Sequence, residues 1–180
     1  MDKTLRLAAV VFCGAASSAF AAGNTITIKG SDTMVILGQR WAEEYMKKKP
    51  STIIQVTGGG SGVGIAALIN GGTDIAEASR PMKPEEKAQT KEKRGKDVVE
   101  IAVALDGLAI YVNGTNKLKE ITIEQVNGIY TGKVTNWKDL GGPDAPIIAY
   151  GRENNSGTYA YFKEHILNKE DFAPETQNMP

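Results

Sequence analysis

Residues 150–158 read YGRENNSGT, and after Arg152 they put four small hydrogen-bonding residues, Asn154, Asn155, Ser156 and Thr158, and Gly157 in front of an aromatic run, Tyr159 to Phe162. Small hydroxyl and amide residues before a helix are N-caps, because their oxygens accept bonds from backbone N–H groups that lack an intrahelical partner. The same free N–H groups, with the positive end of the helix dipole, make a site for an anion. Arg152 would then supply the counter-charge and a planar fork of donors. Two more loops have this chemistry. Gly30-Ser31-Asp32-Thr33 follows one apolar stretch, and Gly58-Gly59-Gly60-Ser61-Gly62-Val63-Gly64 follows another. Arg80, after Ser79, is a further candidate cation.

Each loop alone is accounted for by ordinary capping, and Arg80 by an ordinary surface ion pair. Three loops of one kind favour a shared anion site. The glycine-rich loop does not match better-known phosphate motifs. No Gly-Lys-Ser/Thr triplet follows it, and the loose dinucleotide fingerprint Gly62-Val63-Gly64 lacks an acidic residue about 20 positions on. Val63 breaks a Gly-x-Ser-x-Gly elbow at Ser61. His165 is the sole histidine, so acyl transfer has no evident base, and no ligand cluster for a metal is visible. No cofactor is expected.

The elements that would position these loops alternate. Thr25 to Lys29 has the period-two pattern of a strand; Met34, Leu37, Trp41 and Tyr45 recur at helical spacing up to Pro50; Ile53 to Val56 is a second strand. Ile65, Leu68 and Ile69 mark a helix, Thr73 to Ala76 a third strand, Pro84 to Lys93 a solvated helix, and Val98 to Leu105 a fourth strand. Leu108 to Val112 opens another unit, with helices at 123–130 and 158–167 and a strand at 147–150. This order predicts an α/β fold with parallel-rich sheets and helices on both faces. It suggests two lobes, residues 22–106 and 107–180, with a cleft between them. Parallel units place the first two loops on one sheet edge, and the third faces them from the other lobe.

Composition narrows the partner. The chain has 180 residues with 21 basic and 21 acidic side chains, so no net field draws it to nucleic acid. Lys3 and Arg6, the apolar run 7–12 and Ala19-Phe20-Ala21 read as a signal peptide over residues 1–21, cleaved after Ala21. The run is shorter than the ~20 residues a membrane span needs. Cys13, the one cysteine, falls in this segment, and Phe12 stands where a lipid-attachment signal needs a small residue. The exported chain then has no thiol for disulfide or zinc chemistry.

The stretches GSDT, GGGSGVG, ASRPM and RENNSGT, with TGKVTNWKDLGG between them, resemble the phosphate-binding proteins of bacterial high-affinity phosphate ABC transporters, which are type II periplasmic binding proteins. The resemblance implies a two-lobed fold and capture of inorganic phosphate for a membrane permease, in the periplasm and without catalysis. It implies ligand roles for Asp32, Thr33, Ser61, Arg152, Ser156, Gly157 and Thr158, to which the loop chemistry adds Ser31 and Arg80. Two departures stand out. Many members carry an aspartate where this chain has Arg80, and the family's chains continue past Pro180, so an incomplete second lobe is expected. With Arg80 there, Asp32 is the nearest acceptor for a phosphate proton, besides capping the helix from Met34. The alternatives are a metal-independent phosphate-ester hydrolase and a receptor for another tetrahedral oxyanion.

Overall fold

A computed structural model describes residues 24–179; the expected signal peptide and Cys13 lie outside the described residues. The first half is a run of βα units. Strand β1 (Asn24–Gly30) leads to helix α1 (Val35–Lys48), β2 (Thr52–Thr57) to α2 (Ser61–Asn70), and β3 (Ile75–Glu77) to α3 (Pro84–Arg94). The strands are parallel in the order β2-β1-β3. Stepping from β1 to β2 and then back across to β3 with right-handed crossovers puts α1 and α2 on opposite faces of the sheet.

Register decides which residues meet. Ile28 pairs with both Val56 and Ile75, and Gly30 pairs with Glu77, so the three strands end side by side. The loops that follow them, at 31–34, 58–60 and 78–83, therefore leave from one edge, beside the point where strand order reverses. Ile65, Ile69 and Met82 form the core under this edge, with Leu68, Ala78 and Val98 against them.

The second half holds α4 (Ile123–Tyr130), a 3-10 turn at Trp137–Leu140, β4 (Tyr150–Arg152), α5 (Gly157–His165) and β5 (Gln177–Met179), with β4 and β5 parallel. Thr122 opens α4 with a capping box, accepting from the Gln125 amide while Gln125 accepts from its own. Val126, Phe162 and Leu167 are its core, and the ring of Tyr130 stands edge-on to Phe162 at 4.8 Å.

Two strand expectations are corrected here. Residues 98–105, expected as a strand, form none, and neither does the apolar run 108–112. A strand persists when its N–H and C=O groups meet a neighbour, and among the described residues none lies alongside; Val99, Ile101, Leu105 and Tyr111 are exposed. The strand expected at 147–150 begins at Tyr150. The helix expected from Leu37, Trp41 and Tyr45 is present as α1, which rests on the sheet through Gly38 and Ala42 while those large side chains stay partly exposed.

Candidate functional site

The loop after β1 starts with Ser31, whose amide donates to the carbonyl of Glu77 at 2.8 Å and whose side chain is buried. Its hydroxyl donates to Ser79 at 3.1 Å and lies 2.9 Å from the hydroxyl of Thr33. Ser79 in turn lies 3.2 Å from the hydroxyl of Ser61, the fully buried first residue of α2, which also accepts from the Ser79 amide at 3.0 Å. The register of β1, β2 and β3 causes this meeting, since each serine leaves the sheet at the same edge.

Hydrogens can be counted in this cluster. Four hydroxyls carry four hydrogens, and three hydroxyl–hydroxyl contacts use three of them. Ser31 donates to Ser79, so Thr33 must donate to Ser31. Between Ser79 and Ser61 one hydrogen serves the contact and the other has no acceptor inside the cluster. A donor held in such a part-buried cluster is available to an acceptor that approaches the loop edge.

The third loop closes over the cluster. Gly157, the first residue of α5, sits so near that a Cβ on it would come within 2.2 Å of the Ser79 hydroxyl and 2.6 Å of the Ser61 hydroxyl. Ser156, buried, caps α5 by accepting from the Thr158 amide at 3.2 Å, as the sequence suggests. Arg152, at the end of β4, donates from Nη2 to Oδ2 of Asp32 at 3.1 Å, while its Nε is buried and meets no acceptor among the described residues. The two spare donors, a hydroxyl hydrogen and a guanidinium N–H, thus belong to the same trio of loops.

The structure therefore brings Ser31, Asp32, Thr33, Ser61, Arg152, Ser156, Gly157 and Thr158 onto three adjoining loops. Arg80 differs. Its guanidinium forks onto Glu86, Nη1 to Oε2 at 2.9 Å and Nη2 to Oε1 at 2.8 Å, and this pairing holds the Glu86 carboxyl below the ordinary carboxylate range. Glu86 also accepts from the Lys83 amide, so Arg80 braces the start of α3. Asp32 is not the cap of α1, which starts from Met34 with no side-chain cap. Its oxygens are occupied instead, Oδ1 by the Gly59 amide at 2.7 Å and Oδ2 by Arg152. Helix dipoles also contribute less than the sequence suggests, because the Gly62 amide in the first turn of α2 already donates to the Asn155 carbonyl at 2.9 Å.

Ser79 and Asn155 join these loops by hydrogen bonds that sequence reasoning did not foresee. The place of Ser79 two residues past the end of a strand, as Ser31 lies one residue past the end of its neighbour, was the available signal for Ser79. His165 lies at the other end of α5 against the ring of Tyr161, at 4.3 Å. Among the described residues no group of three or more His, Cys, Asp or Glu side chains could hold a metal, and no helix is long and apolar enough to cross a membrane.

The chain is similar to known proteins over most of its length. The phosphate-binding protein PstS of Pseudomonas aeruginosa is 36% identical over 170 residues, a match covering 88% of this chain and 52% of that protein. PstS of Staphylococcus haemolyticus is 35% identical over 150 residues, covering 82% and 47%. The chain thus spans about half the length of these curated relatives. Among solved structures, a substrate-binding protein assigned to a phosphate ABC transporter of Clostridium perfringens, holding bound phosphate, superposes with a TM-score of 0.76 at 36% identity over 86% of this chain and 61% of that one. An ABC-type phosphate transport receptor from Vibrio cholerae gives 0.67 at 35% identity, covering 86% and 62%. The domain model of the PBP superfamily matches residues 14–179, and with the parallel βα units and the loop edge described above it places the chain in that superfamily.

Proposed function

We propose that this chain captures inorganic phosphate between two lobes, residues 22–106 and 107–180, and that it serves as the extracytoplasmic receptor of an ABC permease, reached through the signal peptide at 1–21. One observation carries the reading. A part-buried hydroxyl cluster with one hydrogen that has no acceptor within it, and a buried Arg152 Nε without an acceptor among the described residues, lie on loops that close on each other. A tetrahedral oxyanion has several acceptor oxygens and the opposite charge, so it satisfies both at once. Ser61, Ser156, Thr158 and the amides of Ser61 and Gly157, at the first positions of their helices, would complete the shell. The named relatives point to phosphate among such anions.

Asp32 supports that choice. Near neutral pH phosphate keeps a proton that sulfate lacks, and a carboxylate retains lone pairs to accept it. An ester hydrolase would need a nucleophile with a base in reach, and the cradle presents donors without one.

Two assays on the full chain test the proposal together: titration with inorganic phosphate, and incubation with a chromogenic phosphate ester. Saturable binding without turnover is expected. Turnover without added metal, or no saturable binding, would overturn it.

A further inference from the structure

The glycine-rich loop has a second contact surface, and it faces protein. Asn155 lies on it from two sides. Its main-chain carbonyl accepts from the Gly62 amide at 2.9 Å, and its side-chain Nδ2 donates to the Gly59 carbonyl at 3.1 Å. Gly60, at φ +91°, has the Asn155 carbonyl 2.8 Å from where a Cβ would be. Glycine is needed here twice over, for the positive φ and for the close approach. The amide orientation of Asn155 is fixed by chemistry, since a carbonyl only accepts and so must face the NH2 group.

We propose that Asn155 is a positioning residue, a clasp that fastens the loop carrying Arg152, Ser156 and Gly157 to residues 59–62 without touching the anion. In this arrangement the glycines at 60 and 62 serve loop-to-loop docking, and anion binding falls to the serines and Arg152. The clasp joins positions 96 residues apart, so making it assembles the site from its two parts. A binding-competent arrangement that is populated before the anion arrives raises apparent affinity by the population gained. That consequence rests on the receptor reading above; the fastening itself does not.

Amide hydrogen exchange of Gly62 in the full chain, without phosphate, tests the clasp directly. Asn155→Ala should lower Gly62 protection by about tenfold with melting unchanged, whereas Asn154→Ala, at an exposed neighbour, should leave it as in wild type. Asn155→Asp puts an ionised acceptor against the Gly59 carbonyl, and it should regain protection, corrected for intrinsic exchange, as pH falls through about 4 and the carboxyl becomes a donor. A merely space-filling role would give no such pH dependence. Equal Gly62 protection in wild type and Asn155→Ala, or a flat pH response in Asn155→Asp, would overturn the proposal. Phosphate titration of the same proteins reads the receptor role separately: no binding by wild type would overturn that role and leave the exchange result to decide the clasp.

Discussion

Arg152 and Asp32 stand 120 residues apart in sequence and 3.1 Å apart in space, and the same Asp32 carboxylate accepts the Gly59 amide with its other oxygen. One side chain therefore ties all three loops of the cradle together. It also sets the direction of the Arg152 fork, because a planar guanidinium held at Nη2 has its Nε fixed in the same plane.

The Arg152 fork is expected to supply charge-assisted bonds to phosphate. Arg152→Ala should weaken binding by about 1.5–3 kcal/mol, in the range for hydrogen bonds to charged groups. Arg152→Lys should recover only part of this, since a point charge cannot hold Asp32 and an anion in one plane. Calorimetric titration of both variants measures the difference, and wild-type affinity in either would remove Arg152 from the site.

Asp32→Asn keeps an oxygen for the Gly59 amide while removing the negative charge. The phosphate-to-sulfate affinity ratio should narrow by about tenfold or more, ~1.4 kcal/mol. Competition of labelled phosphate with sulfate at one pH gives the ratio. If it is unchanged, the acceptor for the phosphate proton is another group.

Gly157→Ala sets helix propensity against packing. Alanine is better than glycine inside a helix by about 1 kcal/mol, yet its methyl would collide with the hydroxyls of Ser79 and Ser61. Phosphate affinity should fall by about tenfold or more while melting changes little, on the usual 1–3 kcal/mol scale of overpacking. Thermal melting beside titration separates the two effects.

Glu77 is buried at the end of β3, its Oε2 has no partner among the described residues, and Gly38 of α1 packs onto Oε1. Burial raises its pKa. In the folded chain it then keeps its proton to a higher pH than in the unfolded chain, so stability falls as pH rises from the ordinary glutamate pKa through the raised one. Glu77→Gln should match wild type in acid and exceed it near neutral pH by on the order of 1 kcal/mol, the cost of one unpaired buried polar group. Melting curves from acid to neutral pH for both proteins check this.

The sheet-edge logic was legible in the sequence because it follows from local patterns. Thr25 to Lys29 and Ile53 to Val56 alternate, a helix with a firm stop at Pro50 lies between them, and parallel βα units leave their loops on one edge. Contacts decided by three-dimensional register were not legible. Ser79 stood out only as the residue before Arg80, and the pairing of Gly30 with Glu77 is what brings it to Ser31 and Ser61. Arg80 carried the same charge as Arg152, but the partner that engages it, Glu86, comes across a proline-containing turn. Asp32 had the residue type and place of a cap, and lost that role to a partner 120 residues away. Residues 98–105 are apolar enough for a strand, which is a property of one segment, whereas a strand needs a neighbour.

The claim that three loops form one phosphate cradle is tested most directly by titrating inorganic phosphate into the isotope-labelled full chain and following individual N–H resonances. The amides of Ser61 and Gly157 and the Nε–H of Arg152 should shift together along one saturating curve. Shifts confined to surface lysines, or an Arg152 Nε–H that does not respond while phosphate binds, would contradict it.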